Sequence, residues 1–129
     1  MPPAQRARDF VGCKHAVVNW SDSAEAAIER MRGLDRDCLA VTDAHGVLGL
    51  CERSVLLSIR QRGTWLGAVT VADVMRRGPF WCYAEDQPDK ILATMDRLKT
   101  ETLAVINRRG RVHGTVHRQD LKADTGACP

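Results

Sequence analysis

The stretch Cys38-Leu39-Ala40-Val41-Thr42-Asp43-Ala44-His45-Gly46 decides the fold, because a second version of it stands sixty-four positions later: Thr102-Leu103-Ala104-Val105-Ile106-Asn107-Arg108-Arg109-Gly110. Each copy is a short apolar run leading into a polar turn with a glycine, the pattern of a buried strand entering a hairpin. Working outwards, the same shift places Asp9 on Asp73, Asp22 on Asp86, Ile28 on Leu92, Met31 on Met95 and Leu34 on Leu98. After the glycine, one inserted residue brings Gly49 onto Gly114 and Arg53 onto Arg118. Scattered single matches arise by chance. A triplet, a glycine turn and a helical face in one register are far harder to obtain that way, so the chain reads as an internal repeat.

Both halves then read alike. A β-branched or aromatic run, Ala16-Val17-Val18 or Phe80-Trp81-Cys82, predicts a strand. Asp22 and Asp86 follow and are expected to be N-caps, their carboxylates accepting the free N–H groups of a first helical turn. Ala24, Ala27, Ile28 and Met31 recur at helical spacing, as do Ile91, Met95 and Leu98. A buried-type strand comes next (Cys38 to Thr42, Leu103 to Ile106), then the turn and a further short strand. A helix carrying Val55, Leu56 and Ile59 closes the first repeat, and Thr70-Val71-Ala72-Asp73 reads as a capping box opening a short helix. The expected fold is α/β (α+β type), two β-α-β-β-α repeats packed about a pseudo-two-fold axis, with the first at 1–64 and the second at 65–129. Residues from 123 onward are expected to fray. Neither repeat could bury its apolar faces alone, whereas two packed together can.

The bulk numbers bound the function. The 129 residues suit one compact domain or two small repeats, and 44% hydrophobic with 27% charged residues is ordinary for a soluble globular chain. A net charge of +3 permits small anionic partners and lacks the basic excess of a dedicated nucleic-acid binder. No apolar run approaches the ~20 residues of a membrane span. Met1 to Arg8 carries charge with no apolar stretch behind it, so no secretory signal is expected. The five cysteines, Cys13, Cys38, Cys51, Cys82 and Cys128, are odd in number and share no C-x-x-C spacing, which fits a reducing cytoplasm.

The element order resembles the CBS domain family over Asp9 to Leu121. So do Val71-Ala72-Asp73-Val74-Met75 entering the second repeat and Gly114-Thr115-Val116-His117-Arg118-Gln119-Asp120-Leu121 closing it. The resemblance implies a stand-alone tandem pair, a Bateman module, that regulates rather than catalyses. In many members the two clefts of such a pair take AMP, ADP, ATP or S-adenosylmethionine, and no obligatory cofactor is implied. A homodimer that signals to an effector protein is also implied. The family's last strand and helix start run glycine, two apolar residues, Thr or Ser, two variable residues, then Asp; the hydroxyl meets phosphate and the carboxylate meets ribose. In the second repeat Gly114 and Asp120 match, Thr115 and Val116 fill the apolar slots, and His117 replaces the hydroxyl residue. In the first, Gly49 matches, but Glu52 and Val55 replace the hydroxyl residue and the Asp. The proline that often precedes the middle-strand Val is alanine in both, Ala40 and Ala104. Carried over residue by residue, the ligand-binding set is Asp120, His117, Thr115, Ala104, Phe80 and Trp81, with Trp81 near the adenine.

Charge separates the repeats in the same sense. The second hairpin and its flank collect Arg108, Arg109, Arg111, His113, His117, Arg118 and Lys122, against Asp43, Ala44 and Glu52 in the first. Glu52 would repel a phosphate, where His117 could donate a hydrogen bond to one. An adenosine-type ligand is therefore expected chiefly at the second-repeat site. Plainer roles stand beside these: Asp120 as a helix cap, the arginines as a solvated face, and Trp20, Trp65 and Trp81 as core or interface. His113 and His117, four apart on a strand, would share a face, yet no third metal ligand accompanies them. Exposed apolar residues on Val55-Leu56-Leu57 and Val71 to Met75 would serve dimerisation. No phosphate loop, dinucleotide turn, H-E-x-x-H or G-x-S-x-G is present, so an enzyme is not expected. The alternative from another class is a dimerisation or interaction module that binds no nucleotide.

Overall fold

The computed structural model describes residues 6–11 and 16–122. Cys13, Cys128, the side chain of Lys122 and the tail from 123 lie outside the described residues. The chain forms two compact units. One, residues 15–79, contains β1 (Val17–Asn19), α1 (Ala24–Leu34), β2 (Cys38–Asp43), β3 (Gly46–Glu52), α2 (Arg53–Gln61), a 3-10 turn (Leu66–Ala68), α3 (Val71–Val74) and β4 (Arg76–Arg77). The other contains β5 (Trp81–Tyr83), α4 (Pro88–Leu98), β6 (Thr102–Ile106), β7 (Val112–His117) and α5 (Arg118–Lys122), joined by a 3-10 helix from the N-terminal region, Ala7–Phe10.

The register of the repeat seen in sequence is the register of the sheets. β1 runs parallel to β2 with Val17 opposite Ala40, and β5 runs parallel to β6 with Trp81 opposite Ala104. The antiparallel partner strands place Gly49 opposite Val41 and Gly114 opposite Val105. Both hairpins slip register at the same step, between Val41 and Thr42 and between Val105 and Ile106, a β-bulge in each. Asp43 Oδ1 closes the first turn by accepting the N–H groups of His45 and Gly46 at 2.7 and 3.0 Å. Asn107 Oδ1 closes the second through the N–H groups of Arg109 and Arg111 at 2.9 and 3.0 Å. Gly46 and Gly110 supply the positive φ that such turns require, 137° and 83°.

Strand β4 and the hydrogen bonds that hold each repeat's leader lay beyond the sequence reading. β4 adds a fourth strand to the first sheet, pairing Arg77 with Gly49 and Arg76 with Leu50. It approaches so closely that a Cβ on Gly49 would collide with the Arg76 carbonyl oxygen. The leader of each repeat, moreover, is held by the loop after the first strand of the other repeat. Val71 N–H donates to Asp22 O (2.8 Å) and Ala72 N–H to Trp20 O (3.0 Å). Sixty-four positions earlier, Ala7 N–H donates to Asp86 O (2.7 Å) and Arg8 N–H to Ala84 O (3.1 Å).

Asp22 and Asp86 are not the helix caps expected of them. Each carboxylate instead reaches back to the end of the preceding strand, Asp22 accepting from Asn19 N–H (3.3 Å) and Asp86 from Tyr83 N–H (2.9 Å). The cap of α1 is Ser23, whose hydroxyl oxygen accepts from Ala26 N–H at 3.0 Å. α4 starts after Gln87 with Pro88 in its first turn, where a missing N–H costs nothing. Thr70 does occupy the N-cap of α3, but its hydroxyl donates to Asp73 Oδ2 (2.8 Å) rather than accepting from the backbone.

The core is aliphatic, with Met31, Leu39, Leu50 and Leu56 in one unit and Ile91, Met95, Leu103 and Val116 in the other all essentially inaccessible. Each such side chain contributes roughly 1.5–3 kcal/mol by leaving water. Val55 is exposed as expected, but Leu56 and Val71 are fully buried and offer no surface for dimerisation. Burial pushes the thiols of Cys51 and Cys82 up to about 12, helped by the charges of Glu52 and Asp86 respectively, with Lys90 opposing at Cys82.

Gly49→Ala is expected to lower stability in chemical denaturation by about 1–3 kcal/mol through overpacking. Gly33→Ala, in α1 with nothing within 4 Å of the added methyl, should raise it by roughly 0.5–1 kcal/mol. With their pKa values raised by burial, the Cys51 and Cys82 thiols stay protonated at pH 8. Both should therefore resist a thiol reagent in the native protein and react on unfolding, as counted by mass spectrometry.

Candidate functional site

Paired residues share a face of a sheet, and alternate residues along a strand return to it. Trp81, Ala104 and Thr115 therefore form one row across β5, β6 and β7. Two residues along β6, ~7 Å away, Thr102 and His117 form the next row on the same face. Tyr83 and Ile106 form a row at the opposite end. Five of the six residues expected from the sequence thus meet on or beside this face: Trp81, Ala104, Thr115, His117 and, at the start of α5, Asp120. Phe80, one residue before Trp81, belongs to the opposite side by the alternation of an extended chain. It is buried, and its carbonyl accepts Ala104 N–H at 2.9 Å.

What distinguishes this face is buried polarity. Thr100, Thr102, Thr115 and Asp120 are the buried polar or charged residues among those described, and all four lie in the second repeat. Their counterparts in the first repeat are Arg36, Cys38, Leu50 and Val55. Thr102 Oγ1 is 2.8 Å from His117 Nδ1, and Thr100 Oγ1 donates to Thr102 O at 3.0 Å. Thr115, 0% exposed, has a hydroxyl with no hydrogen-bond partner among the described residues. A buried group left so costs about 1–3 kcal/mol. In the first repeat the same register position, opposite Ala40, is Leu50, which carries no such cost.

Asp120 is 8% exposed, and its Oδ2 accepts His117 N–H at 3.0 Å. The carboxylate thus reaches back from the first turn of α5 to the residue before it, half of a capping box. This local role occupies one oxygen of Asp120.

The basic cluster is less uniform than its sequence. Arg118 is committed: its Nη2 lies 2.6 Å from Asp96 Oδ1 and its Nε 2.9 Å from Glu101 Oε2. The hydrogen bond to Asp96 and the two carboxylates raise its already high pKa. Arg108 lies over the Tyr83 ring, 5.6 Å from its centroid, a cation–π contact at the far end of the same face. The bulge interrupts the alternation that would have set His113 beside His117. His113 is exposed, while His117 is half-buried against Thr102.

The tryptophans divide. Trp81 is half-buried, but Trp20 and Trp65 are 46% and 69% exposed rather than core. Trp65 lays its ring where a side chain on Gly67 would be, so the glycine backbone covers part of it. The sequence reading missed Thr102, Thr100 and the Arg118 contacts, because each is a pairing between elements distant in sequence. Thr102 in place of Cys38 within the repeat alignment was the available signal.

Comparison with known proteins agrees with the fold. The family model described as the CBS domain matches residues 71–123. No curated protein sequence matches the chain significantly. Among solved structures, a CBS domain pair/ACT domain protein of Thermotoga maritima is 19% identical, with a TM-score of 0.74 over 92% of this chain and 93% of that one. The CBS domain pair of protein MJ0100, in complex with 5′-methylthioadenosine and S-adenosyl-L-methionine, is 16% identical with a TM-score of 0.77, over 93% and 94% of the two chains. CBSX2 in complex with AMP is 20% identical with a TM-score of 0.74, over 92% and 94%. The chain belongs with these in architecture: its second repeat is a CBS domain by sequence, and its two repeats have the fold of a CBS domain pair.

Proposed function

We propose that this CBS pair is a regulatory module that senses an adenosine-containing ligand, such as AMP, ATP or S-adenosylmethionine, chiefly at the second-repeat site. The observation that carries the reading is the asymmetry of buried polarity. One repeat holds Thr102, Thr115 and Asp120 where the other holds Cys38, Leu50 and Val55. A buried hydroxyl such as that of Thr115, with no partner among the described residues, calls for an explanation, and a ligand's polar atoms would supply the partner. Asp120 has a second carboxylate oxygen for a sugar's hydroxyls, and Trp81 a half-buried ring for a base to stack on. Similar folds in complex with AMP, and with 5′-methylthioadenosine and S-adenosyl-L-methionine, support the ligand class. Binding would act by favouring one arrangement of the module over another and so regulate a partner protein or a second copy of the chain.

Titration calorimetry with AMP, ATP and S-adenosylmethionine tests this. At least one is expected to bind saturably near one per chain, and Asp120→Ala to weaken it at least about tenfold, as loss of a charged hydrogen bond does. Thr115→Val should act in two opposed directions. It raises the melting temperature of the free protein by relieving about 1–3 kcal/mol of unpaired polarity, and it diminishes the thermal shift that ligand produces. Absence of heat and of thermal shift with all three ligands would overturn the reading in favour of a pair that serves assembly alone.

A further inference from the structure

The contacts of Arg118 have no full equivalent in the first repeat, and they bear on the site. Arg118 is the first residue of α5, two before Asp120 and one after His117. Its backbone N–H donates to Glu101 O at 2.8 Å. Its guanidinium reaches Glu101 Oε2 at 2.9 Å and Asp96 Oδ1 on α4 at 2.6 Å. A cation in the first turn faces the positive end of the helix and gains nothing there from the dipole. The residue is therefore not placed for the helix's own stability. The two carboxylates that gather around it reverse the local charge and tie three elements together: α4, the lead-in to β6, and α5.

The opposite side of that first turn is held by Asp120, whose carboxylate accepts His117 N–H at 3.0 Å. The residues proposed to meet ligand, His117 and Asp120, thus sit in a turn pinned from outside by Arg118 and closed inside by Asp120. Isolated exposed ion pairs do little, since ordering two long side chains offsets the Coulomb gain. Here one planar guanidinium serves two carboxylates through different nitrogens and is only 22% exposed, while its main chain is fixed to the same loop.

The first repeat offers the control. Arg53 holds the matching place and donates its N–H to Asp37 O at 2.8 Å, but its guanidinium is 3.7 Å from Asp37 and 53% exposed. The counterpart of Asp96 is Arg32, which pairs with Glu29 within α1. The full clamp accompanies Asp120. Where Val55 stands in its place, the clamp is half-made.

We propose that Arg118 is a positioning residue of the second-repeat site, clamping the start of α5 so that Asp120 and His117 are presented to ligand; this rests on the ligand-sensing reading above. The test joins amide hydrogen exchange at His117 with calorimetry using AMP and S-adenosylmethionine as probes. The proteins compared are the full chain, Arg118→Ala, Arg118→Lys, Asp96→Asn and Arg53→Ala. Arg118→Ala should lose about tenfold in His117 N–H protection and a similar factor in affinity for whichever probe binds. Arg118→Lys keeps the charge but not the fork and should recover only part, and Asp96→Asn should fall between. Arg53→Ala, the equivalent change in the other repeat, should leave both readouts unaltered. Unchanged protection or unchanged affinity in Arg118→Ala would overturn the clamp, as would an equal loss in Arg53→Ala. If neither of these probes nor ATP binds the unmodified protein, the ligand-sensing reading fails while His117 exchange still decides whether Arg118 orders the turn.

Discussion

Strand β6 is buried at all five of its positions and hydrogen-bonded along both edges, by β5 and by β7. A strand so enclosed leaves no room for solvent on either face, and every polar atom set against it must find a partner within the protein or on something bound to it. The rest of the second unit depends on that constraint. It requires the apolar triplet Leu103-Ala104-Val105, and it makes the few hydroxyls beside it informative. Thr102 meets its need through His117. Thr115 finds no partner for its own hydroxyl among the described residues. In the first unit β2 occupies the equivalent place, and the residues set opposite Ala40 are Val17 and Leu50, with no such demand.

The two repeats share a backbone register but differ in buried chemistry. Pairing, bulge position and turn closure agree between the halves, since Asp43 and Asn107 do the same work through the same oxygen. The differences fall at Thr102, Thr115, His117 and Asp120, against Cys38, Leu50, Glu52 and Val55. Backbone agreement sustains the fold. Side-chain divergence falls at one set of positions, where the first repeat has two aliphatic residues, a cysteine and a glutamate.

Most of the fold was legible because its signals are local. Strand alternation, the glycine turns and the helical spacing of Ile91 and Met95 are carried by residues within a few positions of each other, and the shift onto Gly49 and Gly114 turned out to be the sheet register itself. What escaped depends on distant partners. Asp22 and Asp86 look like caps in sequence, but Ser23 and Pro88 stand closer to the helix starts and free the carboxylates to close the preceding turn. Nothing in Arg76-Arg77 announces an edge strand; it pairs with β3 only because Gly49 leaves the backbone bare. At the candidate site, motif position located Asp120, His117 and Thr115, but burial and partners could not be read. The arginine run looked uniform, whereas Arg118 is bound by two carboxylates and Arg108 rests on Tyr83.

The central claim is the proposal that ligand recognition belongs chiefly to the second repeat. Two-dimensional ¹H–¹⁵N spectra recorded while AMP, and separately S-adenosylmethionine, is titrated into the protein address it most directly. The account predicts saturable shifts at the amides of Thr115, His117 and Asp120 and at the Trp81 indole, with Leu50, Glu52 and Val55 little changed. Shifts centred on the first-repeat residues, or none with either of these ligands or with ATP, would contradict it.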